Sequence, residues 1–149
     1  KWPAGLGGKG NEGVTGVIKQ TPGAIGYVEL VYAESNKMPV AQLKNAAGQF
    51  VMPTLESVTA AAQGALKTMP ADYRVSITNA EGRKAYPISG FTYLLVQKSG
   101  KGAKQQAIKD LLKWTVTEGQ KMAPALSYAP LPQELASKIQ ATIQGLQVE

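Results

Sequence analysis

The succession from Gly5 to Leu30 constrains the fold most. Five glycines fall among the nine residues Gly5 to Gly13. They lead into Val14, Val17 and Ile18, whose i, i+3, i+4 spacing makes one apolar helix face. Asn11 stands where a helix takes its N-cap, and Glu12 falls in the first turn, where the helix dipole favours an acid. Thr21-Pro22-Gly23 ends that helix. The run AIGYVEL (24–30) then reads as a short buried strand, because its apolar residues do not alternate with polar ones. Loop, helix, turn and strand in that order are half of an α/β unit, so the chain is expected to be α/β.

The rest of the chain extends this alternation. Over residues 40–53, AQLKN and QFVMP flank the turn-prone Asn45 to Gly48, which predicts a hairpin. Residues 54–66 predict a helix capped by Thr54, with Ser57 rather than Glu at the capping-box position. YRVSI (73–77) alternates as a short strand does. GFTYLLVQK (90–98) carries the aromatic and β-branched residues of a strand. Residues 104–126 predict a helix whose apolar face holds Ala107, Leu111 and Trp114 with either Ile108 or Leu112, broken or kinked at Gly119. A final amphipathic helix over 133–147 rests on Leu135, Ile139, Ile143 and Leu146.

Composition excludes several chemistries. With 149 residues and 44% hydrophobic residues, the chain is long enough and apolar enough for one compact core. Cysteine and histidine are absent, which removes Cys–His and Ser–His–Asp catalysis, thiolate redox chemistry and the usual zinc ligand sets. The formal net charge of +6 fits either an anionic partner or a solvated lysine-rich surface. No block of five like charges occurs, which argues against a nucleic-acid arm. No apolar run is long enough to span a bilayer. KWPAGLGGKG has no apolar segment after its lysine and no initiator Met, and Trp2-Pro3 reads as mid-chain sequence.

The glycine-rich loop is the leading candidate for chemistry. Free N–H groups at a helix start favour an anion, and glycine lets a backbone approach closely. The loop lacks the Gly-Lys-Ser/Thr ending of a P-loop, and no predicted strand precedes it. A plain structural turn and an anion-facing loop both remain open for it. Tyr27 lies at a strand end, where open α/β sheets place their ligand crevice, although core packing accounts for it better. Trp114 falls on an apolar helix face and reads as core. Glu29, Glu34, Glu56 and Asp72 show no spacing of paired catalytic carboxylates.

Four stretches taken together, WPAGLGGKGNEGV, QTPGAIGYVEL, YPISGFTYLLV and SYAPLP, occur in this order with helices after the third. They resemble the phosphate-binding proteins of the bacterial ABC phosphate importer (the PstS family). The resemblance runs over essentially the whole chain. It implies a two-lobe periplasmic-binding-protein fold of α/β type, of which this chain looks like the C-terminal half. Residues 1–86 would form the C-terminal part of the second lobe, 87–98 the crossover strand, and 99–149 the helices that complete the first lobe.

The implied function is capture of inorganic phosphate for import, without enzymatic chemistry, metal or cofactor. The implied setting is periplasmic, cell-surface or secreted. The implied partners are phosphate, the importer's membrane subunits and the missing N-terminal segment of the same fold. Family members hold phosphate with an acidic residue in the first lobe and an Arg followed by Ser-Gly-Thr in the second. Here Arg74 and Arg83 are the only arginines and neither precedes that motif, while Ser89-Gly90 is followed by Phe91. The main phosphate ligands are therefore expected outside this chain, with Gly10, Asn11 and Tyr27 as cleft-lining candidates. The alternative reading is a phosphate-ester hydrolase or phosphotransferase that uses the glycine loop.

Overall fold

The structure is a computed structural model that describes residues 3–148. Lys1, Trp2 and Glu149 lie outside the described residues, so the reading of Trp2 as mid-chain sequence falls outside them as well. Among the described residues, α-helices mix with two small sheets, and the chain divides into two compact units, one ending at Ala41 and one beginning at Gln42.

The smaller unit holds helix α1 (Gly10–Gln20) and helix α2 (Leu30–Ser35). Lys9, not Asn11, is the N-cap of α1, and it makes no side-chain cap bond. Gly10 enters the helix at φ +68°, a left-handed conformation that costs glycine nothing, so the helix begins one residue ahead of Asn11. Gly8 packs directly on the helix backbone. A Cβ there would lie 2.5 Å from Gly13 C and Val14 N. Two side-chain bonds tie the helices in parallel. The Tyr32 hydroxyl donates to Glu12 Oε1 at 2.6 Å near their starts, and Lys19 Nζ donates to Asn36 Oδ1 at 3.0 Å near their ends.

Residues 24–29 pass over α1 at Gly26, where a Cβ would meet Ile18 Cδ1 at 2.6 Å and Val14 Cγ1 at 3.3 Å. They form no strand, which corrects the expectation for 24–30, and Leu30 instead begins α2. Ile25 is 99% exposed. The apolar residues that read as buried need a neighbouring strand to bury them, and the sheets among the described residues pair only other segments.

The larger unit opens with the predicted hairpin. Strands β1 (Leu43–Lys44) and β2 (Phe50–Val51) run antiparallel, with Leu43 opposite Val51 and Lys44 opposite Phe50. Asn45 is the knot of this region and is 5% exposed. Its Oδ1 accepts from the Ala47 and Gln49 N–H groups, which shapes the turn. Its Nδ2 donates to the carbonyls of Gly82, Arg83 and Ala85, which pins the hairpin to a distant loop.

Helix α3 (Leu55–Gly64) starts with the predicted Thr54 cap. Ser57 completes a capping box in place of the usual Glu or Gln. Ala61 and Ala62 of the helix's buried face and its C-cap Ala65 join Ile77 and Ala85, with Met69, Val75, Ala80 and Phe91 around them. Gly64 is required here because a Cβ would fall 2.0 Å from Glu81 O. Residues 73–77 alternate in burial as the sequence predicts, and Ile77 is buried, but among the described residues they pair with no strand.

Residues 90–98 likewise carry no strand pairing before Ser99, which corrects the expectation of a strand there. Leu95 is 94% exposed and Leu94 61%. The sheet partner that a strand of this composition needs is not supplied by any described segment. Beyond it, strand β3 (Ser99–Gly100) pairs in parallel with strand β4 (Gln147–Val148). Between them lie helix α4 (Gly102–Thr115) and helix α5 (Gln133–Gln144), which pack on each other.

Helix α4 is shorter than predicted and ends at Thr115, and two short 3-10 turns, Glu118–Lys121 and Ala123–Leu126, follow it. Its inward side carries buried Gln105 with half-buried Ile108 and Leu112. The predicted face of Ala107, Leu111 and Trp114 is exposed, which corrects the assignment of Trp114 to the core. Gln105 wins the inward place because its Nε2 donates to Gln97 O. Helix α5 buries Leu135 and Ile143 as expected. Lys109 Nζ donates to Gln144 O and Leu146 O at 2.9 Å, so a cation answers the free carbonyls and negative end of α5.

Candidate functional site

The sequence-predicted positions Gly10, Asn11 and Tyr27 all fall in the smaller unit. Asn11 is half-buried in the first turn of α1. Its Oδ1 accepts the backbone N–H of Glu29 at 3.0 Å. The structure thus joins the glycine-loop helix start to the end of the 24–29 segment through one amide. Tyr27 lies two residues before that attachment and is 75% exposed. Among the described residues it is not packed into a core.

Glu12 makes a contact that the sequence does not reveal. Its carboxylate Oε2 lies 3.1 Å from where a Cβ of Gly10 would stand, so it bends over the helix entry. Oε1 accepts the Tyr32 hydroxyl. The Tyr32 bond, followed by one from Glu12's own backbone N–H, holds this carboxyl below the usual glutamate range. The positive end of α1 therefore faces an anion that the chain itself supplies. The acid in the first turn was visible in the sequence, but its hydroxyl partner lies twenty residues away and carries no local signal.

The arrangement orients these groups through the Asn11 and Tyr32 bonds. It holds a glycine-lined helix start, a fixed carboxylate and an exposed tyrosine on one small unit. Among the described residues, no group of three or more His, Cys, Asp or Glu side chains is placed to hold a metal ion. No helix among them is long and apolar enough to cross a membrane.

Comparison with known proteins gives this geometry a context. A family model described as the PBP superfamily domain matches residues 1–118. The chain is 48% identical over 142 residues to the phosphate-binding protein PstS of Xylella fastidiosa strain 9a5c, covering 95% of this chain and 39% of that protein. It is 41% identical over 142 residues to the phosphate-binding protein PstS of Pasteurella multocida, covering 95% and 41% respectively. It is also 41% identical over 154 residues to the phosphate-binding protein PstS of Methanocaldococcus jannaschii, covering 91% and 39%. The resemblance read from the four sequence stretches is borne out, and the chain spans about two fifths of the length of these relatives.

Proposed function

Because the chain belongs to the PBP superfamily, we propose that it is part of a receptor that captures inorganic phosphate for ABC-type import. The observation that carries this reading is the 48% and 41% identity to proteins named as phosphate-binding, sustained over nearly all of the chain. The receptor binds its ligand through oriented hydrogen-bond donors in a cleft and releases it chemically unchanged. It works outside the inner membrane, in the periplasm or at the cell surface, and hands phosphate to the importer's membrane subunits.

In this reading Gly10, Asn11 and Tyr27 line the cleft, and the main phosphate ligands lie in the part of the receptor that this chain does not span. Residues 1–86 belong to the second lobe, 87–98 cross between lobes and 99–149 complete the first. The exposed apolar segments support such a completion. Ile25, Leu94, Leu95 and Leu111 are more than half exposed, as surfaces awaiting a partner segment are. The 93–95 stretch and residues 72–76 also flank an open gap of 790 Å³.

The test is phosphate titration of the complete receptor and its Asn11→Ala variant. Loss of the Asn11 tie to Glu29 frees the Tyr27 segment, and affinity is expected to fall about tenfold, the worth of one good hydrogen bond. An unchanged affinity in both Asn11→Ala and Tyr27→Ala removes these residues from the cleft.

A further inference from the structure

The larger unit carries a second concavity. It has a volume of 390 Å³, and its lining includes Gln42, Gln49, Phe50, Met52, Arg83 and Lys84, with Glu56 among the rest. Its shape is set by Asn45, which draws three carbonyls of the 82–85 loop onto its amide and so fixes that loop against the hairpin. Arg83 and Lys84 therefore stand beside Phe50 because one buried side chain holds both segments. Arg83 and Lys84 are exposed, and neither belongs to any of the ion pairs found among the described residues. Phe50 is 68% exposed, and Met52 is exposed beside it.

We propose that this groove seats a short segment of a partner protein in which an acidic residue neighbours an apolar one. The guanidinium fork of Arg83 and the ammonium of Lys84 suit a carboxylate. Phe50 and Met52 offer an apolar and a polarizable surface for the adjoining side chain. Gln42 and Gln49 each carry donors and acceptors, which matches the alternating needs of a peptide backbone. With Phe50 in the same lining, Glu56 favours a peptide over a free multivalent anion. Its carboxylate adds a negative charge to the same lining, and bonds from its own backbone N–H and the Thr54 side chain hold it ionised. A peptide brings N–H donors that this carboxylate accepts and an apolar side chain for Phe50, both of which a phosphate ion lacks. This surface is distinct from the phosphate reading and does not depend on it.

The experiment measures fluorescence anisotropy of a labelled, end-blocked peptide, Gly-Asp-Leu-Asp-Leu-Gly, against the complete protein. Saturable binding is expected, weakened by added salt because the contacts are partly exposed charges. The double variant Arg83→Ser/Lys84→Ser should bind about tenfold more weakly or worse, and a peptide with Asn in place of both Asp should lose binding to a similar degree. Phe50→Ser should weaken binding with the salt dependence retained. Circular dichroism spectra that match the wild type show that the exposed substitutions leave the fold intact. Absence of saturable binding, equal binding by the double variant, or displacement of the peptide by inorganic phosphate each overturns the proposal.

Discussion

Replacing Asn45 with Ala tests how the larger unit is held together. The side chain makes five hydrogen-bond contacts, three from Nδ2 and two to Oδ1. An amide has two hydrogens and two acceptor lone pairs, so about four of these act at full strength. At about 1 kcal/mol net for each, the loss sums to about 4 kcal/mol. Gly82 and Arg83 are exposed, so their carbonyls regain water in the variant, which brings the expected cost to about 3 kcal/mol. Urea denaturation followed by circular dichroism reads this directly. Hydrogen exchange adds local detail, since the Ala47 and Gln49 amides should lose protection first. Asn45→Asp sharpens the test. It keeps Oδ1 but turns an acceptor toward three carbonyls, so its folded pKa is raised. Such a group contributes stability below the unfolded pKa and loses it as pH rises through the folded value. The Asp variant should therefore be more stable in acid than at neutral pH. A cost below about 1 kcal/mol for Asn45→Ala refutes the role assigned to this residue.

Two further outcomes follow from the same structure. Gly64→Ala raises intrinsic helix propensity by about 1 kcal/mol, yet the added Cβ would fall 2.0 Å from the Glu81 carbonyl oxygen. The melting temperature should therefore fall, and a rise would contradict the close approach. Tyr32→Phe removes the hydroxyl that most lowers the Glu12 pKa, so the Glu12 carboxyl signal should titrate at higher pH in nuclear magnetic resonance spectra. Because the folded pKa is depressed, this interaction stabilises above the unfolded carboxyl pKa and is lost as pH falls through the folded value. An unmoved midpoint removes Tyr32 as the cause.

Local signals carried well where they acted locally. The Asn45–Gly48 turn, the Thr54 cap and the Leu135–Ile143 face of α5 were all readable because each depends on residues a few positions apart. The segments 24–30 and 90–98 were misread for one shared reason. Their composition records burial in a sheet, but a strand exists only with a neighbour, and no described segment pairs with them. Helix α4 was misoriented because apolar residues occur on two of its sides. Spacing fits Ala107, Leu111 and Trp114 as well as Ile108 and Leu112, and the Gln105 bond to Gln97 that separates them is tertiary. At the candidate site, the glycine entry and Asn11 stood out in the sequence. Asn11 proved to be a tie to Glu29 instead of a cap, because Gly10 starts the helix earlier. The Glu12–Tyr32 pair was hidden by its separation along the chain.

The proposal that this chain is part of a phosphate receptor predicts saturable, selective ligand binding. Isothermal titration of the complete protein with inorganic phosphate, and in parallel with sulfate, tests it most directly. Saturable binding of phosphate in preference to sulfate, with no phosphate ester consumed, is the predicted result. No phosphate binding, or turnover of a phosphate ester that is lost on substitution of Asn11, would contradict it.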